Sequence, residues 1–212
     1  MKSAIVIFLL ILSANCLAQE FELKNGDIIF QEACSGNLDN TIKQVTSSVD
    51  NYQFTHVGIV YIDDKGAVFV LEANMPKVSL TPLAEYLYPP KAEKCYPKSV
   101  VGRLTKEYQS IIPDALKAGM ALIGKGYDYG YVLNDDKYYC SELIYEILKQ
   151  ANGGEDVFTL NIMTFKDENT GQTTNGWIDY FNKHALPIPE GEWGINPGAM
   201  SRCDGIEIIH RY

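Results

Sequence analysis

The sequence predicts an α+β fold: a mainly antiparallel sheet packed against helices. Three observations predict it. Short apolar runs bounded by turn residues recur as strands, and two of them flank Asp63-Asp64-Lys65-Gly66 as a hairpin. Other segments carry apolar residues at helical spacing. The chain has 212 residues, of which 46% are hydrophobic, enough for one substantial core.

Gly26-Asp27 opens a first strand through Ile28-Ile29-Phe30-Gln31. Leu38, Ile42 and Val45 follow polar residues at the spacing of a short amphipathic helix. Residues 56–62 and 67–73 form the hairpin. Thr81-Pro82 reads as the N-cap and first position of a short helix to Leu87, which Pro89-Pro90 ends. Residues 99–104 are a further strand. Ile112, Leu116, Met120 and Ile123 mark a helix within 108–124, with Pro113 either opening or kinking it. A helix runs from Cys140 to about Gln150 and stops at Asn152-Gly153-Gly154. Residues 155–176 are polar and read as irregular, 177–184 as one more short helix, and 206–210 as a last strand. No internal repeat is visible.

The first 18 residues read as a secretory signal: a basic start, an apolar run too short to span a bilayer, and small residues before a cleavage point after Ala18. Processing as a lipoprotein at Cys16 is the rival. Residues 19–212 then form a single domain on an exported, periplasmic or extracellular chain, with no later run long enough for a transmembrane helix. The net charge of −9 disfavours nucleic acid as a partner and gives no attraction to an anionic lipid surface. Cys34, Cys95, Cys140 and Cys203 remain after the signal. Export permits disulfides, and if Cys140 is free at most one pair forms among the other three, in a pairing the sequence leaves open. The cysteine spacings do not suit a zinc site, and no metal or organic cofactor is indicated.

Cys140 lies at the predicted start of a helix, in Tyr138-Tyr139-Cys140-Ser141-Glu142-Leu143. Unpaired amides at a helix N-terminus favour a thiolate, and the Cys140 amide itself suits an oxyanion. His56 opens a buried strand, and of the three histidines it is the best placed to act as base; His184 and His210 read as surface residues. An imidazole base needs a third group to orient it. If the hairpin turn is Asp64-Lys65-Gly66 with Gly66 left-handed, Glu72 is diagonal to His56 on the same face, roughly 7–8 Å away at the backbone. Asn74 then lies directly opposite His56 and is a rival orienting residue. A turn one residue longer or shorter moves Glu72 to the other face. Glu142 reads as a first-turn carboxylate suited to the helix dipole, with no catalytic role. Gly126-Tyr127-Asp128-Tyr129 reads equally as a pocket wall near Cys140 or as a turn with aromatic packing.

Taken in order, the blocks Gly26-Asp27-Ile28-Ile29-Phe30, Thr55-His56-Val57-Gly58-Ile59-Val60, Leu71-Glu72-Ala73, Gly126-Tyr127-Asp128 and Tyr139-Cys140-Ser141-Glu142-Leu143 resemble the YiiX-like group. That group belongs to the circularly permuted branch of the NlpC-type papain-like peptidases and amidases. The cysteine follows the histidine here, as the permuted order implies. The resemblance spans roughly residues 24–151. It implies a circularly permuted papain-like core, with Cys140 as nucleophile, His56 as general base and acid, and Glu72 as the orienting residue. It also implies an amide-type substrate: a cell-wall peptide, or an N-acyl, lipid-like amide. A non-catalytic lipid- or peptide-binding module on the same fold is the alternative from another class, and an acyltransferase shares all the chemistry. The oligomeric state is not legible.

Overall fold

The computed structural model describes residues 21–34, 36–90, 95–133 and 135–212; the predicted signal segment lies outside them. In chain order the elements are β1 (Ile28–Glu32), α1 (Asn37–Lys43), β2 (His56–Ile62), β3 (Val68–Asn74), β4 (Lys77–Pro82), α2 (Leu83–Leu87), β5 (Lys98–Leu104), α3 (Ile112–Ala121), α4 (Cys140–Ala151), β6 (Asn161–Ile162), α5 (Asn175–His184), β7 (Trp193–Gly194), α6 (Pro197–Ser201) and β8 (Ile206–Arg211). Six strands form one sheet in the order β4-β3-β2-β1-β5-β8, antiparallel at every pairing. The α+β expectation holds.

Alternation along the strands sends one set of side chains to each face. Ile28, Phe30, Val57, Ile59, Leu71 and Ala73 enter the larger core with α3 and α4. Ile29, Val60, Val70 and Val101 lie on the opposite face under Tyr86 and Leu87 of α2. Helix α4 is amphipathic by sequence: Leu143, Ile144, Ile147 and Leu148 fall on one stripe and are all fully buried. At roughly 1.5–3 kcal/mol for each such side chain, this stripe is the main force seating α4 on the sheet. Among the described residues no helix is long and apolar enough to cross a membrane.

Several predicted elements need correction. Thr81 and Pro82 do not open a helix with Thr81 as cap. They end strand β4, which pairs with β3 from Phe69↔Pro82 to Asn74↔Lys77, and α2 begins one residue later. The tight Met75-Pro76 turn left too little sequence between the strands for a second hairpin to stand out. Pro113 lies in the first turn of α3 and so opens that helix. The stretch 155–176 is not wholly irregular: β6 pairs with β7 as a two-stranded ribbon. Cys34 and Cys95 form the disulfide, and Cys203 is free.

Candidate active site

The β2–β3 hairpin closes through the three-residue turn. The Asp63 amide donates to the Ala67 carbonyl at 3.0 Å, and Gly66 sits at φ +81°. The ladder pairs Ile59 with Leu71 and Val60 with Val70. Continued outward, this register sets Gly58 opposite Glu72 and His56 opposite Asn74. A Cβ on Gly58 would clash with Val70 Cγ1 and press to 3.2 Å from the Leu71 carbonyl and 3.4 Å from Glu72 Cβ. Only glycine leaves β2 and β3 this close beside the carboxylate.

Of the two residues that could orient His56, Glu72 makes the contact: Nε2 of the imidazole and Oε2 of Glu72 are 2.5 Å apart. Asn74 is exposed, and its side-chain oxygen accepts from the Met75 amide at 2.8 Å. The second Glu72 oxygen accepts from the Thr81 hydroxyl at 2.5 Å. The Glu72 side chain is 4% exposed and that of His56 21%. Burial by itself pushes the Glu72 pKa up, but hydrogen bonds from His56, Thr81 and Asn74, with the imidazolium charge, hold it below the ordinary carboxylate range. Burial works to lower the His56 pKa. Hydrogen bonding with Cys140 and Glu72, and their charges, outweigh it and raise the value to about 10. With Nε2 committed to Glu72, Nδ1 is the ring nitrogen left for the sulfur. The ring packs at 5.8 Å from Tyr86, whose hydroxyl is anchored on the Ile29 carbonyl at 2.9 Å.

Cys140 is the first residue of α4 and is 7% exposed. The first intrahelical bond from a following amide is Leu143 to the Tyr139 carbonyl at 3.0 Å, so the Cys140 and Ser141 amides precede the helical ladder. Glu142 lies in the first turn of α4, as expected. It is fully buried, accepts from the Tyr139 amide at 3.2 Å as a capping-box residue, and burial drives its pKa up to about 9.

The start of α4 is tied to the C-terminal segment. Ser141 Oγ donates to the Ile195 carbonyl at 2.9 Å, and the Ile195 amide donates to the Tyr139 hydroxyl at 3.2 Å. These bonds close a cavity of about 230 Å³ against Cys140. Its walls come from α1, from Tyr127 and Tyr131, from residues 161–165, from α5 and from residues 195–199. Tyr127 thus serves as pocket wall, while Gly126 beside it forms an antiparallel β-bridge with Lys77. The wall built by 161–165 and 195–199 was not visible in the sequence, since these short pieces have no periodic pattern and nothing in them signals proximity to Cys140. Thr81 has the local signature of a helix cap, which hides its contact with Glu72 in the sequence. Asp27 is structural: its buried carboxylate takes Nε and Nη2 of Arg103, each at 2.7 Å. His184 stacks on Tyr129 and His210 on Phe21, and neither lines the cavity.

The model of the permuted papain-like amidase enzymes of the YaeF/YiiX, C92 family matches residues 22–210. The uncharacterized protein YiiX of Escherichia coli (strain K12) is 30% identical over 153 residues, 72% of this chain and 70% of that relative. A crystal structure described as that of the metalloprotein YiiX from Escherichia coli O157:H7 superposes with a TM-score of 0.71 at 21% identity, covering 91% of this chain and 99% of the other. Among the described residues of this chain, no three His, Cys, Asp or Glu side chains stand together as metal donors.

Proposed function

Because the chain belongs to the permuted papain-like amidase family, a family of cysteine hydrolases, we propose that it cleaves an amide-type bond through Cys140, His56 and Glu72. One observation carries this reading: Glu72 holds the imidazole at 2.5 Å, and Cys140, whose influence raises the His56 pKa, stands at the start of α4 on a cavity wall. The Cys140 sulfur attacks the carbonyl carbon, and the oxyanion that forms is met by the free amide of Cys140. Collapse breaks the C–N bond, and the amine leaves with a proton from His56. Water then attacks the thioester, His56 takes its proton, and the C–S bond breaks to release the acid and regenerate the thiol. Glu72 keeps the ring oriented and stabilises its charged form throughout.

The chain acts outside the cytoplasm on this reading. Support comes from the signal-like residues 1–18 and from the Cys34–Cys95 disulfide, which suits an oxidising compartment. The substrate classes carried forward are a cell-wall peptide and an N-acyl amide.

The test is a thiol-reactive probe at neutral pH, followed by product analysis with both substrate classes. Rapid labelling at Cys140 that is lost in His56→Ala is expected. Slow labelling indifferent to His56→Ala would mark a binding module. Exclusive transfer to an added amine would mark an acyltransferase.

A further inference from the structure

We propose that the cavity beside Cys140 binds the acyl part of the substrate and that this part is apolar, an alkyl or aryl group somewhat larger than benzene. The inference rests on the hydrolase reading above and chooses between its two substrate classes.

Position gives the side of the scissile bond. Cys140 lines the cavity and His56 does not. The departing amine must lie within hydrogen-bond reach of the imidazole that protonates it. The cavity, reached from the sulfur and away from the imidazole, therefore receives the other substituent of the carbonyl.

Chemistry gives the class. Ile42, Val45, Met163, Phe165 and Trp177 make the apolar part of its walls, and the polar part, Arg202 apart, is of neutral hydroxyls and amides. Phe165 and Trp177 meet edge to face at 4.9 Å, so this aromatic wall is packed in place before substrate arrives. Among the described lining residues the one charged side chain is Arg202, at the exposed rim, with its guanidinium held by the Ser47 carbonyl and, at 3.0 Å, the Ser47 hydroxyl. Among the described lining residues, Trp177 Nε1, Asn161 Oδ1 and the Tyr131 hydroxyl are buried without partners. They can meet one or two neutral polar groups on the chain. No acidic side chain and no buried cation is among those lining residues, so the several ionised groups of a cell-wall peptide would be desolvated there without a counter-charge.

Size sets the length. A cavity of roughly 150 Å³ lined by aliphatic and aromatic residues holds benzene, and this one is about 230 Å³.

The experiment uses the full chain as purified and three coumarin amides: N-acetyl, N-octanoyl and an alanyl-glutamyl-lysyl peptide. Each buried methylene contributes a factor of about four, and octanoyl has six more than acetyl, so burying even half of them should make kcat/KM for octanoyl exceed acetyl by roughly 60-fold or more. Ala199→Phe, which intrudes from α6 into the cavity, should lower the octanoyl-to-acetyl ratio at least about tenfold. Calorimetric binding to Cys140→Ala separates the two claims. Octanoyl amide bound in preference to the peptide, with the wild type inert toward all three, overturns the hydrolase reading and keeps the apolar occupant. Preferential cleavage or binding of the peptide overturns the apolar occupant and leaves the hydrolase. Neither binding nor cleavage of any of the three overturns both.

Discussion

His56 and Glu72 meet at 2.5 Å across a diagonal of the β2–β3 hairpin, sixteen residues apart in sequence. The contact depends on a parity. One residue more or less in the turn would put the carboxylate on the opposite face of the sheet. The turn supplies that parity through Gly66 at positive φ and through Asp63, whose side chain accepts from the Lys65 and Ala67 amides at 2.9 and 2.8 Å. An exposed loop thus sets the alignment of a buried pair.

Glu72→Gln keeps the shape and removes the charge. An orienting carboxylate stabilises the imidazolium and fixes the ring, so kcat should fall by roughly 10²–10⁴-fold. Asn74→Ala, at the position directly opposite His56, should cost less than about tenfold, since Asn74 acts on Glu72 and makes no contact with the ring. Steady-state kinetics of the two variants side by side checks the assignment. Equal losses would return Asn74 to contention.

Thr81 acts through Glu72 and is a positioning residue. Its hydroxyl donates to Oε1 while His56 occupies Oε2. Thr81→Val removes a hydrogen bond to a buried charge, worth about 1.5–3 kcal/mol. The carboxylate then protonates more readily, so the acid limb of kcat/KM should move to higher pH and the rate near neutrality should drop by about tenfold. Thr81→Ser should restore both. A pH profile unchanged in Thr81→Val would reduce Thr81 to a packing role.

Much of this architecture was legible in the residues, and the gaps have physical causes. His56–Ile62 reads as a strand because its apolar residues run unbroken between turn signals. The α4 stripe Leu143, Ile144, Ile147, Leu148 repeats at helical period, which placed Cys140 at a helix start. The hairpin register followed from one glycine. The cavity was not legible. Its walls combine a five-residue stretch at 161–165 with a turn at 195–199, both brought in by tertiary bonds such as Ser141 to Ile195, and neither has a periodic pattern of its own. Strand β4 was hidden for a related reason, because a two-residue Met75-Pro76 turn and a following helix left Thr81-Pro82 with the local signature of a helix cap. The burial of Glu142 was not legible either, because the stripe pattern of α4 does not show what covers its first turn.

The site also couples stability to pH. The folded-state value of His56, about 10, lies above its ordinary 6.5. Folding therefore favours its protonated form, and the associated stability is complete below the ordinary value and lost as pH rises through about 10. Glu72 behaves oppositely: held below its ordinary 4.5, it contributes fully above that pH and loses its contribution as pH falls through its lower folded value. Urea unfolding at about pH 7 and about pH 10.5 should show a loss in the wild type that is smaller in His56→Asn. Taking the difference between the two proteins removes the alkaline titration of the tyrosines. A loss as large in His56→Asn as in the wild type would mean that His56 is not held protonated. The same titration should set the alkaline limb of kcat/KM near pH 10 in the wild type and move it lower in Glu72→Gln.

The Cys34–Cys95 disulfide joins the chain just after β1 to the segment leading into β5, with a separation of 61 residues. The loop it closes contains α1, the whole β2–β3–β4 meander and α2, and so both His56 and Glu72. Closing a loop of that length restricts the unfolded chain by about 4 kcal/mol on the chain-entropy account. Since β1 and β5 are paired from Ile28↔Gly102 to Glu32↔Lys98, the folded sheet holds those ends together without the bond. Reduction should therefore lower the unfolding free energy by up to about 4 kcal/mol while the folded enzyme keeps most of its activity under conditions where it stays folded. Cys34→Ser should reproduce the effect, and Cys203→Ser should not, because Cys203 is unpaired. Denaturant titrations with and without reductant, read beside activity, check it. A large activity loss in reduced, fully folded protein would show that the bond shapes the site rather than restrains the unfolded state.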